Sequence, residues 1–266
     1  MAHSEIFEVY AVKYAVHDRV AQANFLRPVD PHDATMPIDY FVWAAVSKTR
    51  TVVIDTGFSA EVAAKRGRTL LRCPTEGLGL IGIDAATVSD VVITHMHYDH
   101  VGNFGLFPKA DFHLQDDEMA FATGRHMRHG QFCGSIEVED VVGMVRKVYE
   151  GRVVFHNGDT ELSPGLSLHR IGGHTDGLQS VRVKTARGWI VLASDAAHLY
   201  AHLGAVNPFP IVFNIGEMID GYDILRHLAD SDDHIVPGHD PKVMEIYSAP
   251  TPELQGIVVR LDVAPS

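Results

Sequence analysis

Apolar and polar residues alternate from Ile6 to Val16, with Tyr10, Val12, Tyr14 and Val16 on one face, and β-rich runs follow at Ile38 to Val46 and Thr51 to Ile54. The polar turn Ser47-Lys48-Thr49-Arg50 joins the last two, so a period of two predicts an antiparallel β-meander. Helix formers from Ser59 to Arg72, capped by Ser59 and stopped before Pro74, predict a helix, and Gly77, Gly79 and Gly82 then predict a loop. Val91 to Thr94 reads as a short strand buried on both faces. It ends at His95-Met96-His97-Tyr98-Asp99-His100, which places that cluster on a loop leaving a buried strand. Asp111 to Leu114 is a further strand, Asp116 to Ala122 and Glu137 to Tyr149 are helices, and residues 124–136 between them, with His126 and His129, form an irregular insertion.

The second half repeats the theme, with strands at Val153 to His156, Leu166 to Ile171, Gln179 to Val183 and Trp189 to Leu192, the last pair joined at Thr185-Ala186-Arg187-Gly188. Two strands run into polar loops, at Gly172-Gly173-His174 and Ser194-Asp195. A helix from Asp220 to Ala229 precedes a last strand, His234 to Val236, which delivers Pro237-Gly238-His239. Without a linker, low-complexity tract or close repeat, the pattern predicts one domain over residues 1–266, built from two β-rich halves.

Composition narrows the function more than the fold. With 46% hydrophobic residues among 266, the chain can bury a core, which excludes disorder as its dominant state. A net charge of −12 without any Lys/Arg run argues against nucleic acid and anionic membranes as partners. Met1 to Tyr10 lacks the basic start of a leader and no run of eighteen apolar residues exists, so neither a signal peptide nor a membrane span is expected. Cys73 and Cys133, far apart and outside any metal spacing, predict a reducing cytoplasm. The count that stands out is 17 histidines, several beside Asp or Gly, which points to metal chemistry.

His95-x-His97-x-Asp99-His100 puts four ligand types within six residues: one imidazole pair aims at one point while Asp99 and His100 project toward a second. Imidazole and carboxylate are the donor set of zinc and similar divalent ions. Three later strand ends each add one donor beside small neighbours, His174, Asp195 and His239. These seven residues, in this order, resemble the metallo-β-lactamase superfamily across essentially the whole chain. The resemblance implies an α+β fold, a four-layer αβ/βα sandwich, with two divalent ions at one edge of the sheets and hydrolysis by a bridging hydroxide. Carried over by motif, one ion, most naturally zinc, is held by His95, His97 and His174, the other by Asp99, His100 and His239, and Asp195 bridges both.

His100 to Pro108 and Val191 to Ala197 look most like the N-acyl homoserine lactone lactonase branch, which implies opening of a lactone ring and, in the family's setting, quorum quenching. Asp176 and Leu178 depart from that branch's Gly-His-Thr-Pro-Gly-His-Gln-Ser motif, and His198 stands where it often carries a tyrosine. The expected substrate contacts are His198, Tyr200, Phe209 and Phe213, and Asp99 is the expected proton shuttle. A hydrolase of another cyclic ester or amide, or of a thioester in the manner of hydroxyacylglutathione hydrolase, is the alternative. The partner is a small-molecule substrate, and a homodimer is compatible with the reading. Asp55 is expected to shape a turn or support a ligand, and Gly77-x-Gly79-x-x-Gly82 to be a loop without a dinucleotide role.

Overall fold

The structure, a computed structural model, describes residues 5–266; the first four residues of the leader reading lie outside them. The described strands are β1 (Glu8–His17), β2 (Ile38–Val46), β3 (Thr51–Ile54), β4 (Thr69–Leu70), β5 (Asp90–Val92), β6 (Asp111–Gln115), β7 (Val153–His156), β8 (Thr160–Ser163), β9 (Leu166–Arg170), β10 (Gln179–Thr185), β11 (Gly188–Ser194), β12 (Ile235–Pro237) and β13 (Val258–Arg260). The described α-helices are α1 (Ala60–Arg66), α2 (Pro74–Gly79), α3 (Tyr98–Val101), α4 (Asp116–Ala122), α5 (Gly130–Cys133), α6 (Val138–Tyr149), α7 (Tyr200–Ala205), α8 (Ile215–Leu228) and α9 (Lys242–Ile246).

One sheet runs β13-β1-β2-β3-β5-β6-β7, with β4 also on β1, and the other runs β12-β11-β10-β9-β8. β2 shows why they stack. Its Phe41, Trp43 and Ala45 pack with Leu168, Val181, Val183 and Leu192 of the second sheet, while Tyr40, Val42 and Ala44 face a separate cluster with Ala63, Leu78 and Met144 of the helices. A strand covered on both faces is apolar throughout, which accounts for the continuous run the sequence shows there. On the outer face of the second sheet, α8 lays Met218, Tyr222 and Leu225 over Val191, Ala193 and Ile235. The layers are therefore helix, sheet, sheet, helix, the α+β sandwich expected.

Several boundaries differ from expectation, each for a local reason. The helix after Ser59, whose side chain accepts from the Val62 amide, stops at Arg66 and not Arg72, because Gly67 turns left-handed at φ 64°. The glycine-rich stretch after it is helical, not a loop: Pro74 opens α2 and Glu76 accepts from the Cys73 amide at 3.1 Å. α8 starts at Ile215, five residues before the expected Asp220, because Asn214 caps it by accepting from the Gly216 and Glu217 amides. The 124–136 insertion carries a 3-10 turn, Arg125–Arg128, and α5. Strands β8 and β13 and helices α7 and α9 were not anticipated. Among the described residues no helix is long and apolar enough to cross a membrane.

Strands β3, β5, β6 and β7 are parallel, as are β11 and β12, while β9 and β11 both run antiparallel to β10. The carboxyl ends of β3 and β5 deliver Asp55 and the 95–100 loop; those of β9, β11 and β12 deliver His174, Asp195 and His239. Binding groups collect at the carboxyl edge of such strands because the loops there are free to vary while the sheet holds them in place.

Candidate metal centre

Two groups of ligand atoms form at this edge. His95, His97, His174 and Asp195 present one atom each within 4.8 Å of one another, and Asp99, His100 and His239 do the same. Asp195 stands between them. Its Oδ2 lies 3.2 Å from His174 Nε2 and 3.7 Å from His95 Nε2, while its Oδ1 lies 3.0 Å from His239 Nε2 and 3.3 Å from His100 Nε2. Asp99 Oδ2 is 3.6 Å from His100 Nε2 and 3.7 Å from His239 Nε2. His97 Nδ1 meets His174 Nε2 at 2.8 Å.

The buried atoms His95 Nε2, His100 Nε2 and Asp195 Oδ1 have no hydrogen-bond partner. Orphaned polar atoms at this depth are rare because each costs about 1–3 kcal/mol, and here they all point inward at one another. Nitrogen and carboxylate donors converging in this way fit a divalent cation. Electrostatics agree at the first group; at the second, burial is outweighed by Asp195 and the other nearby carboxylates, which raise His100 and His239, so an ion there would displace protons. Burial, followed by the neighbouring imidazoles, pushes His95 and His97 well below the ordinary histidine value, so both stay neutral as ligands must. Burial opposes ionisation of Asp195, but His198, His239 and His100 outweigh it and hold the carboxyl well below the usual carboxylate range.

The imidazoles are aimed by what their other nitrogens do. His100 Nδ1 donates to Asp55 Oδ2 at 2.7 Å, His174 Nδ1 to the Ile211 carbonyl at 2.7 Å, and His239 Nδ1 to the Asp39 carbonyl at 2.8 Å. Asp55 is fully buried, sits at φ 63°, and also accepts from the Thr94 amide and hydroxyl at 2.8 Å each. It supports His100 from behind.

The model of a family described as the Metallo-beta-lactamase superfamily matches residues 39–239. The chain belongs to this superfamily. Within it, the chain is a metal-dependent hydrolase, as its relatives are. N-acyl homoserine lactonase AiiB of Agrobacterium fabrum (strain C58) is 28% identical over 204 residues, 70% of this chain and 73% of its own. Two solved structures share the fold. A quorum-quenching N-acyl homoserine lactone lactonase superposes with a TM-score of 0.74 at 18% identity, covering 91% of this chain and 95% of that one. AidC, a dizinc quorum-quenching lactonase, superposes with 0.70 at 16% identity, covering 90% and 89%.

Around this superfamily site the expected substrate contacts divide. His198 Nε2 lies 2.8 Å from Asp195 Oδ2, and its ring stacks flat on Phe209 with centroids 3.3 Å apart. Phe209 is buried and also meets His174 edge-on at 4.9 Å, so it backs the site. Phe213 joins Phe121 of α4 and His126 and Phe132 of the insertion in a cluster of rings 4.9 to 6.2 Å apart, beside His174, whose carbonyl accepts from the Phe213 amide. Tyr200 does not reach the site, which corrects the expectation. Its amide caps onto Asp240 at 2.9 Å, its ring turns toward Lys242, and it lines a separate cavity with Leu203 and Ile246.

The sequence reading passed over Glu118. Fully buried at the start of α4, it accepts from the Met96 amide at 2.7 Å, the Thr175 hydroxyl at 2.6 Å and the Gly177 amide at 3.1 Å. It thereby clasps the 95–100 loop to the His174 loop. Gly177 has to be glycine, since a Cβ there would lie 2.1 Å from the Glu118 nitrogen.

Proposed function

We propose that the chain is a dinuclear lactonase that opens a cyclic ester, with N-acyl homoserine lactones, the substrates named for its relatives, as the first class to test. The observation that carries this reading is Asp195, whose two oxygens face two separate groups of histidines. In it His95, His97 and His174 would hold one ion, Asp99, His100 and His239 would hold the other, and Asp195 would serve both. Zinc suits these nitrogen and carboxylate donors. When bound, such a pair supplies hydroxide at neutral pH and polarises the ester carbonyl.

The chain's own residues then have distinct tasks. Asp99, with a tenth of its side chain exposed, lines the cavity, where its carboxylate can take a proton and return it to the ring oxygen as the C–O bond breaks. His198 steadies the Asp195 carboxylate through Oδ2, and Phe209 fixes the plane of its ring. Phe213 and the rings around it form an apolar lip for the acyl side of a substrate. Cys73 and Cys133 are both free thiols, which suits a reducing cytoplasm.

The test is metal analysis of purified protein together with a hydrolysis panel of lactones, a glutathione thioester and a lactam. Two ions per chain and release of a hydroxy acid from a lactone are expected. A stoichiometry of one that added metal does not change, or thioester turnover with no lactone opened, would overturn the reading.

A further inference from the structure

The cavity over Asp99, Asp195 and His239 encloses about 210 Å³, and its second wall is made of His17, Arg19, Arg66 and Arg68. Arg66 is committed: its guanidinium pairs with Glu137 at 2.7 Å and donates to the Gly134 carbonyl at 2.9 Å. The other two have no carboxylate partner among the described residues. Arg19 donates to the Ala23 carbonyl; Arg68 donates to the Tyr98 hydroxyl at 3.1 Å and the Arg66 carbonyl at 2.8 Å. Both are partly buried. Burying two like charges side by side is costly unless an anion completes the site. His17 registers that field, since burial and then Arg68 and Arg19 lower its pKa to about 4. With a net charge of −12, the chain has no general basic surface of which this pair could be a part.

The pair also lies close to the reacting centre. The Tyr98 hydroxyl that accepts from Arg68 is 3.1 Å from the Tyr40 hydroxyl, and the Tyr40 ring meets His239 edge-on at 5.1 Å. A molecule with its carbonyl at Asp99 and Asp195 needs only a short reach to this wall, and the volume is below the ~300–1,000 Å³ of typical small-molecule sites. From this geometry we infer that the substrate is a compact cyclic ester bearing a carboxylate, held by the forked donors of Arg19 and Arg68. The inference rests on the lactone-opening reading above and moves its substrate class away from the neutral N-acyl homoserine lactones, which bear no carboxylate. A guanidinium suits the task because its planar donors match a carboxylate in pairs.

The test compares 5-oxotetrahydrofuran-2-carboxylate with its neutral carboxamide on the metal-loaded enzyme. The carboxylate is expected to show a kcat/KM ~10- to 100-fold higher, the range for charged hydrogen bonds. The ratio should fall toward one in Arg19→Gln and Arg68→Gln and be partly kept in Arg68→Lys. Equal turnover of the two lactones, or a ratio that neither glutamine variant changes while folding normally, would overturn the inference. Calorimetric binding of 2-hydroxyglutarate against 4-hydroxybutyrate separates it from the lactonase reading. If no lactone is opened yet 2-hydroxyglutarate binds ~10-fold tighter through both arginines, the anion site stands and lactone opening fails. If both lactones open equally and binding is indifferent, the reverse holds.

Discussion

Replacing Glu118 tests whether the two ligand loops are held from below. In Glu118→Gln the amide keeps one acceptor, but its NH2 group must face one of the two backbone donors, Met96 or Gly177, that the carboxylate now satisfies. The Thr175 hydroxyl can turn away; a backbone N–H cannot. One unsatisfied buried donor costs about 1–3 kcal/mol, and Glu118→Ala, which abandons both amides, about 2–6 kcal/mol before any cavity is counted. A domain stable by ~5–15 kcal/mol survives the first change and is hard pressed by the second. Burial lifts the Glu118 carboxyl above its ordinary value against the pull of its hydrogen bonds, so some of the loss is returned when the charge is removed. The Gln variant is therefore expected near the lower end. Its distinctive effect is on metal: because the clasp joins the loop of His95 and His97 to that of His174, affinity at this group should fall ~10- to 100-fold. Thermal denaturation with and without zinc, and competition against a chromophoric chelator, measure both. A Glu118→Gln protein with wild-type melting and an unchanged chelator midpoint would refute the clasp. Loss of stability without loss of metal affinity would refute its role in positioning ligands.

His97→Ala and His239→Ala should each lower metal content and reduce lactone turnover by at least ~10³-fold, as judged by elemental analysis beside kinetics, since each strips a donor from a different group. Asp99→Asn should lose ~10²- to 10⁴-fold in kcat with little change in KM, the range for a positioned proton carrier; near-native kcat at full metal content would remove Asp99 from that role. His202 makes stability depend on pH: Nδ1 accepts from the Leu199 amide at 3.2 Å and Nε2 donates to the Asn24 carbonyl at 2.9 Å, so only the neutral ring fits. Burial lowers its pKa to about 4. The unfolded chain protonates this ring near 6.5 and the folded chain resists, so stability is full above that pH and falls by up to ~3 kcal/mol as pH drops toward 4. Denaturant titrations of metal-free protein should show this slope flattened in His202→Gln; parallel curves would contradict it.

Most of the strands and the seven candidate ligands were legible because both announce themselves over short stretches. β2 is a run of nine residues of which eight are buried, and four of the candidate ligands fall within six positions. The other three follow glycine or serine at strand ends. Glu118 gave no such signal. Asp116-Asp117-Glu118 reads as the acidic first turn of a helix, and what sets Glu118 apart is a meeting with Met96, 22 positions earlier, and Gly177, 59 positions later. The position of His198 was legible and its partner was not, since the approach to Asp195 depends on how the chain turns between β11 and α7.

The missed second wall of the cavity traces to one misjudged boundary. Continued to Arg72, as its helix formers suggest, α1 would keep Arg68 within the helix and unpaired with β1. Gly67 instead turns left-handed and sends the following residues into β4, where Thr69 pairs with Val16 and Leu70 with Ala15. That pairing sets Arg68 beside the end of β1, with its Nη1 3.5 Å from Nδ1 of His17, which stands two positions before Arg19. The two arginines are 49 positions apart and neither belongs to a basic run, so composition could not join them. A single glycine that ends a helix early thus sets Arg68 beside the segment of Arg19 and puts two guanidinium groups without carboxylate partners on one wall of the cavity.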